Sequence, residues 1–260
     1  MGNPSGYLTL TTDWNQSDFY TGVLKGQLVS SCPKLNIIDI SHDVPSFNTH
    51  HAAFIVRQSF KHYPPNTIHL VMVNMESGNK PHILYLYHNE HHFIVPDNGI
   101  ISLMFSSPPE SVFQVALGVS GSFASVSCIV KILNGICNGL KPSEIGTASL
   151  SFEEMVALRA TIDDNIINGN VIYIDSYRNA ISNLSRSLFE RVGQGRPYDI
   201  YVQSNFNHLS KLSKTYNEVE QGELLALFNS ADLLEVAIRN GYAADLLNLS
   251  IGSGVRVKFR

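Results

Sequence analysis

The sequence predicts an α/β domain with a central, mostly parallel sheet, followed by a smaller domain of mainly antiparallel strands. In the first half, short apolar runs alternate with segments whose apolar residues recur at helical spacing, which indicates a parallel sheet covered by helices. From about Asn168 the pattern changes to short strands separated by turns. We expect the first domain over residues 1–149, a linker over 150–164 and the second domain over 165–260.

The first domain opens with two strand–helix repeats followed by a third strand. The third strand is rich in branched residues, and Pro64-Pro65 ends the second helix. The predicted elements are strands at Tyr7–Thr11, Leu35–Ile40 and Ile68–Val73, helices at Phe19–Ser30 and Asn48–Phe60, a hairpin of His82–Tyr87 with His92–Val95, and a helix at Ser127–Asn138. In the second domain, strands are predicted at Val171–Asp175, Asp199–Gln203, Glu223–Phe228, Leu234–Ile238 and Val255–Phe259.

Composition narrows the function classes. Apolar residues make up 44% of the 260 residues and the formal net charge is −4, so we expect a large core and no general affinity for nucleic acid. Cys32, Cys128 and Cys137 lack the paired spacing of a zinc site or a disulfide framework. Because there is no basic start followed by an apolar stretch, and no run of about 18 apolar residues, we expect a cytoplasmic protein without a membrane span.

Polar residues follow the first two strands at the edge where ligands bind to open parallel sheets. Asp13 ends the run Thr11-Thr12-Asp13, and its two carboxylate oxygens would match the two hydroxyls of a ribose. The alternative is that Asp13 and Asp18 cap the helix that follows. The neighbouring run Ser41-His42-Asp43 is interpreted as turn-building and hydrogen bonding, because side chains adjacent in sequence point apart and do not form a catalytic triad.

Two later polar runs are predicted to form turns, and one of them could also bind a ligand. Asn98 lies in a turn-forming Asp-Asn-Gly run. Asp175 and Asn179 follow a predicted strand, where the Asn amide could pair with an adenine edge and Tyr177 could stack on it, although a plain turn explains the run equally well. The adjacent pairs among the ten histidines do not converge on one ion, so we expect no metal, and no glycine-rich phosphate motif indicates another cofactor.

The order of five segments carries a resemblance that covers nearly the whole chain. The segments are LTLTTDWNQSDFYTGVLKGQL, IIDISHDVPSFNTHHAAFIVRQSFKHYPPNTIHLVMV, VPDNGIISL, NGNVIYIDSYRNAISNLS and LLALFNSADLLEVAIRNGYAADLLNLSIG. In that order they resemble elements of the S-adenosylmethionine hydroxide adenosyltransferase family, relatives of the fluorinases and chlorinases. The resemblance implies a barrel-like second domain and a homotrimer. Each ligand would then lie between the first domain of one subunit and the second domain of the next.

The resemblance also implies a reaction and a set of binding residues. In the family a nucleophile attacks the ribose C5′ of S-adenosylmethionine and expels methionine. Asp13 falls at the ribose-binding aspartate, Asp18 in the loop that meets the methionine end, and Phe47 where halogenating relatives carry an aromatic residue. The remaining positions, which fall in the C-terminal ligand-binding segments, are Asp175, Tyr177, Asn179 and Ser230.

The chain departs from the family at the residues that activate water. Asn74 replaces the family's Asp, Ala124 replaces its His, and Pro81 falls near its Arg. Ser77 and Ser125 fall where halogenating relatives carry hydroxyl side chains, so the expected catalytic positions are Asn74, Ser77 and Ser125. An amide and a methyl group cannot deprotonate water.

Three functions therefore remain open. The first is hydrolysis of S-adenosylmethionine to adenosine and methionine, the second is binding of S-adenosylmethionine or adenosine without catalysis, and the third is a halide-dependent adenosyl transfer.

Overall fold

The structure is a computed structural model that describes residues 2–75, 82–117, 124–149 and 151–260. Its contacts divide the chain into two compact units, Met1–Ala157 and Leu158–Arg260. Within the described ranges, no three His, Cys or acidic side chains converge as metal ligands. No helix in these ranges combines the length and the apolar character needed to cross a bilayer.

The first unit is built on a seven-stranded mixed sheet. Its strands are β1 (Tyr7–Thr12), β2 (Asn36–Ser41), β3 (Ile68–Met72), β4 (His82–His88), β5 (His91–Pro96), β6 (Val112–Ala116) and β7 (Thr147–Ser149). Its helices are α1 (Phe19–Ser31), α2 (Thr49–Ser59), α3 (Ile100–Met104), α4 (Ala124–Cys137) and α5 (Pro142–Ile145), and a 3-10 turn at Phe60–His62 follows α2. The spatial order is β2-β1-β3-β5-β4-β6-β7.

Strands β2, β1, β3 and β5 run parallel, whereas β4, β6 and β7 are joined by antiparallel pairings. Helices cover both faces of this sheet, which explains why its central strands are apolar on both sides. On one face, Leu28 of α1 and Leu133 of α4 are fully buried in the same cluster. On the other face, Val56 of α2 and Ile100 of α3 are fully buried. The predicted α/β fold is confirmed.

The parallel pairing brings three strand ends to one edge of the sheet. Thr11 of β1 pairs with Ser41 of β2, and Thr12 pairs with Met72 of β3. The loops that follow these strands therefore begin side by side at the carboxyl edge of the sheet.

A cluster of buried histidines occupies the opposite, amino-terminal edge. His69 Nδ1 lies 2.7 Å from Thr9 Oγ1, and His69 Nε2 lies 3.1 Å from His91 Nδ1. His92 Nδ1 lies 2.9 Å from Tyr85 Oη. Burial lowers the pKa of His69 to about 3 and that of His92 to about 4. Burial thus favours the neutral form of these core histidines, and hydrogen bonds link them to one another and to Thr9 and Tyr85.

The histidine cluster predicts acid sensitivity of the first unit. The folded pKa values of His69 and His92 lie below the unfolded value of 6.5, so the unfolded chain binds more protons between pH 6.5 and about 3. Stability is therefore expected to fall as the pH drops through that window, by up to about 1.4 kcal/mol per pH unit for each histidine. Urea unfolding between pH 7 and pH 4 would measure this slope.

A matched pair of variants tests the origin of the acid sensitivity. His69→Gln should flatten the pH dependence, whereas His50→Gln, an exposed change on α2, should leave it unchanged. Equal slopes for wild type and His69→Gln would show that the cluster does not cause the acid sensitivity.

The second unit is an antiparallel, nearly closed barrel. Its strands are β8 (Thr161–Asp163), β9 (Ile166–Ile174), β10 (Ala180–Ser185), β11 (Tyr198–Val202), β12 (His208–Leu209), β13 (Leu224–Phe228), β14 (Leu233–Ile238) and β15 (Gly254–Phe259). Two helices, α6 (Arg186–Gly193) and α7 (Ala243–Leu246), and a 3-10 turn at Tyr216–Glu218 complete the unit.

Pairing runs β12-β11-β15-β9-β10-β14-β13, with β8 added to β9. Ser213 N, just after β12, donates to Ala226 O of β13 at 2.8 Å, which links the two ends of this order. The core contains Ile167, Val236 and Val257. The predicted all-β, barrel-like second domain is confirmed.

Candidate functional site

The Asp13 carboxylate joins the three loops at the carboxyl edge of the first sheet. Asp13 follows β1, and its Oδ2 accepts hydrogen bonds from Phe47 N at 2.9 Å and Asn74 N at 3.2 Å. Phe47 and Asn74 lie in the loops after β2 and β3, so one oxygen fixes both loops relative to β1. In the part of the chain that the structure describes, the other oxygen, Oδ1, makes no hydrogen bond. It is therefore available to a ligand.

The alternative of helix capping is not realised in the structure. Asp18 occupies the N-cap position of α1, but its side chain makes no capping hydrogen bond. Asp13 lies well before the helix and bonds instead to the neighbouring loops. Neither Asp13 nor Asp18 therefore uses its carboxylate to cap α1.

Left-handed backbone conformations shape all three loops. Asn15, Phe47 and Asn74 have φ values of 62°, 64° and 52°. Asn tolerates this region well, whereas a bulky Phe is held there at a cost of about 1–2 kcal/mol. The Phe47 side chain is also 73% exposed, so core packing does not compensate this cost. Strain of this kind is typical of functional positions.

Phe47 therefore predicts a trade-off between stability and binding. Phe47→Asn should raise the free energy of unfolding by about 1 kcal/mol, because Asn adopts the left-handed region readily. Under the ligand-binding role that the resemblance implies for Phe47, the same change should weaken binding of an adenosyl ligand by about tenfold, because an aromatic contact worth about 1.4 kcal/mol would be lost. Urea unfolding and calorimetry would measure the two effects. Phe206→Asn, at an exposed position without positive φ, should change neither quantity.

Asn98 holds the loop that carries Asn74. Its Nδ2 donates to Val73 O at 3.0 Å and to Asn74 O at 3.2 Å, while its Oδ1 accepts from Ile100 N at 3.3 Å. The side chain is buried. Sequence reasoning identified a turn here but missed this bracing of a second loop, because the bracing depends on the adjacency of β3 and β5.

The buried side chain of His42 contacts the last residue of β1. His42 Nδ1 lies 2.9 Å from Thr12 Oγ1, and His42 Nε2 lies 3.0 Å from Asp39 Oδ1, out of line for a good hydrogen bond. Partial burial opposes ionisation of Asp39, but the hydrogen bond from Lys25 and the nearby His42 ring outweigh it and lower the Asp39 pKa. Ser41 Oγ accepts from Asp43 N at 3.2 Å. The turn-building interpretation of Ser41-His42-Asp43 is confirmed.

The expected catalytic positions are described only in part. Asn74 is half-buried beside Asp13, and Ser125 is half-buried in the first turn of α4. Ser77 lies outside the described residues, as does Pro81. The described neighbourhood of Asp13 thus presents amide and backbone groups from Asn74, which can orient a nucleophile but cannot take its proton.

In the second unit, Asp175 and Asn179 form one closed turn between β9 and β10. Asn179 N donates to Asp175 Oδ1 at 2.8 Å, and Asn179 Nδ2 donates to Asp175 Oδ2 at 3.1 Å. Asp175 N donates to Asn179 O at 3.1 Å, and Arg178 has a φ of 63°. Asn179 is buried, whereas Tyr177 is 75% exposed at the tip. The turn brings Asp175 and Asn179 together and leaves the Tyr177 ring accessible for stacking.

Sequence reasoning missed a buried carboxyl group next to this turn. Glu235 of β14 is 3% exposed, and its Oε1 accepts from Tyr216 Oη at 2.6 Å. Its Oε2 accepts from Asn229 Nδ2 at 3.1 Å. Burial raises the Glu235 pKa and the charge of Asp175 adds to this, although the two hydrogen bonds act against it. The sequence feature that could have indicated this buried carboxyl group is the single Glu within the otherwise apolar run LLEVAI.

Asn229 connects Glu235 to a second turn by hydrogen bonds. Its Oδ1 accepts from Ala231 N at 3.0 Å and from Leu233 N at 3.3 Å, which closes the turn carrying the exposed Ser230. Glu235 is thus hydrogen-bonded to the residue that shapes the 229–233 turn and lies within electrostatic reach of the 175–179 turn.

Comparison with known proteins decides the family. The sequence model of the SAM hydroxide adenosyltransferase N-terminal domain matches residues 8–146, and that of the C-terminal domain matches residues 169–256. The chain belongs to the SAM hydroxide adenosyltransferase family. The resemblance stated from the sequence is therefore confirmed, and the two matched segments fall within the two units of the structure.

Curated relatives in the SAM hydroxide adenosyltransferase family match at low identity over nearly full length. An (R)-S-adenosyl-L-methionine hydrolase of Methanocaldococcus jannaschii is 25% identical, over 93% of this chain and 92% of its own. A protein of the same name from Thermus thermophilus is 24% identical, over 95% of this chain and 97% of its own.

Two solved structures share the SAM hydroxide adenosyltransferase fold seen here. One is a conserved protein from Thermotoga maritima, with a TM-score of 0.85 and 23% identity over 97% of this chain and 99% of that one. The other, from Thermus thermophilus, has a TM-score of 0.76 and 22% identity over the full length of both chains.

Proposed function

We propose that this chain binds S-adenosylmethionine and hydrolyses it at the ribose C5′ to adenosine and L-methionine. The observation that carries the proposal is the Asp13 carboxylate, with one oxygen fixed by Phe47 N and Asn74 N and the other without a partner among the described residues. Such a group is preorganised to accept hydrogen bonds from a ribose diol. The names of the relatives support the same substrate.

Preorganisation explains how Asp13 would bind without rearrangement. Because two backbone N–H groups hold Oδ2, the carboxylate cannot rotate away when a ligand arrives. The entropy cost of ordering the side chain is therefore already met in the free protein. Phe47, exposed and held beside Asp13 by its own N–H, would cover the sugar with an apolar ring.

The proposed reaction is a displacement at carbon. A water oxygen attacks C5′, the electron pair of the C5′–S bond moves to sulfur, and methionine leaves as a neutral thioether. The water proton passes to solvent. Since the sulfonium is already a good leaving group, holding water in line with the C–S bond supplies much of the rate. Asn74, half-buried beside Asp13, would orient that water in this proposal.

One observation favours a second candidate, a halide-dependent adenosyl transfer. The two described positions that the family resemblance assigns to the reacting centre, Asn74 and Ser125, carry neutral polar side chains instead of a base. A halide needs no deprotonation, and neutral donors can hold a desolvated anion. The same site could then release a 5′-halogenated nucleoside in place of adenosine.

One assay separates these reactions. Purified protein is incubated with S-adenosylmethionine in halide-free buffer and, in parallel, with chloride, and the products are separated by chromatography. Adenosine and methionine formed in equal amounts without halide are the expected result. A 5′-chloro product that appears only with chloride would establish the second candidate instead. Calorimetric binding without either product would reject catalysis and leave a binding module.

The proposal includes a homotrimer whose site combines two subunits. Asp13, which is proposed to bind the ribose, belongs to the first unit. Tyr177 and Asn179, which are proposed to bind the adenine, belong to the second unit. Mixing inactive Asp13→Ala and Asn179→Ala subunits should then restore part of the activity, because some interfaces combine two intact halves. Mixtures that stay inactive, while both variants remain folded and assembled, would contradict a shared site.

A further inference from the structure

Two cysteines meet at the ends of two helices on one face of the first sheet. Cys32 follows the last residue of α1, and its N–H bonds to Leu28 O at 2.7 Å, which fixes its backbone at the helix end. Cys137 is the last residue of α4, the helix that packs beside α1. Cys32 is buried and Cys137 is exposed.

The two cysteines are close neighbours. They lie at the ends of two helices that pack together, each influences the pKa of the other, and both line one open cavity of about 740 Å³. The cavity wall also includes the N-terminal segment around Pro4 and the α4 residue Asn134. A small molecule can therefore approach the thiol pair from solvent without opening the core.

We propose that Cys32 and Cys137 are a modification site that forms a reversible disulfide between α1 and α4. The oxidant is a low-molecular-weight disulfide. The exposed Cys137 thiolate attacks one sulfur of that disulfide, forming a mixed disulfide and releasing one small thiolate. The Cys32 thiolate then attacks Sγ of Cys137, forming the internal S–S bond and releasing the second small thiolate. Two protein thiols are oxidised and one small disulfide is reduced.

The environment of the pair sets the rate of this exchange. Burial raises the pKa of both thiols, and the neighbouring Cys32 helps to bring the pKa of Cys137 to about 12. The thiolate is the attacking species, so exchange should be slow near neutral pH and should accelerate as the pH rises. The pair thus suits prolonged oxidation better than rapid sensing.

The third cysteine provides a matched control within the same helix. Cys128 lies nine residues before Cys137 on α4 and is half-buried, and burial also raises its pKa. Among the described residues it has no thiol partner. It therefore shares the helix and the small thiolate fraction of Cys137, but it has no described thiol neighbour with which to form a disulfide.

The test uses reduced full-length protein at low concentration with oxidised glutathione at pH 8.5. The expected result is loss of two of the three thiols, a monomer lighter by two hydrogen atoms, and a Cys32–Cys137 linked peptide after digestion. Dithiothreitol should restore all thiols. Cys128→Ser should give the same link, whereas Cys137→Ser should give none.

Three results would overturn the proposal. They are retention of all thiols in wild type, a link that includes Cys128, and a stable glutathione adduct on Cys137 without ring closure. Because Cys128→Ser leaves the pair intact, its behaviour separates specific closure from general oxidation even if Cys137→Ser folds poorly. None of these outcomes depends on S-adenosylmethionine, so they leave the proposed function untouched.

Discussion

Asp13→Ala is expected to weaken binding of S-adenosylmethionine or adenosine by at least about 100-fold, because charge-assisted hydrogen bonds to two hydroxyls contribute about 3 kcal/mol. The change acts in two ways. It removes the unbonded oxygen that would accept from the ribose. It also releases Phe47 N and Asn74 N, so both neighbouring loops lose their common anchor. Calorimetry with adenosine would measure the binding loss, and chromatography would measure the loss of turnover.

Two further variants separate the roles of Asp13. Asp13→Asn keeps an oxygen acceptor for the loops but loses the charge and one acceptor, so stability should be nearly retained while affinity falls. Asp43→Ala, an exposed change at the end of β2, should alter neither. Normal affinity in Asp13→Ala, with the fold intact, would reject the ribose assignment and with it the proposed site.

Glu235→Ala is expected to destabilise the second unit by about 1–3 kcal/mol, because two partly buried donors lose the buried carboxyl group that accepts from both. Tyr216 Oη and Asn229 Nδ2 both lose their acceptor. Chemical unfolding followed by a probe in the second unit would measure the loss. In the proposed site, loosening of the 229–233 turn should also weaken ligand binding through Ser230.

A double-mutant cycle and the pH dependence test this role of Glu235. Tyr216→Phe alone should cost less than Glu235→Ala, and the two changes together should cost less than their sum because they remove one interaction. The folded pKa of Glu235 is raised, so the folded state binds the proton more tightly than the unfolded state. Its contribution is therefore present at low pH and is lost as the pH rises through the folded pKa. Additive costs, or a pH dependence that Glu235→Gln does not flatten, would contradict the assignment.

The local pattern of apolar residues was sufficient to predict most strands and helices of the first unit, but it predicted those of the second unit less completely. Strands β1, β2 and β3 were predictable because they are apolar runs bounded by turns, and α1 and α2 because their apolar residues recur at helical spacing. Strand β10 was missed because the polar Ser182 and Asn183 interrupt its short apolar run, and because its pairing with β14 involves a distant chain segment. Helix α6 begins with a signal that was available, since the side chain of Ser185 caps Leu188 N.

Only part of the candidate site, too, could be predicted from the sequence. The position of Asp13 at a strand end was readable from the sequence. Its bonds to Phe47 N and Asn74 N were not, because they need two left-handed loops on adjacent strands. The burial of Glu235 was equally hidden, since Tyr216, which lies over it, is 19 residues away in the chain.

The near closure of the barrel has a consequence for solubility. In the second unit the hydrogen bond from Ser213 N to Ala226 O leaves little exposed strand edge on which another chain could grow. The first sheet instead ends in β2 and β7, each with one unpaired side among the described strands. At three residues β7 is a poor template, whereas β2 offers six. Edge-to-edge aggregation of partly destabilised protein should therefore start at β2.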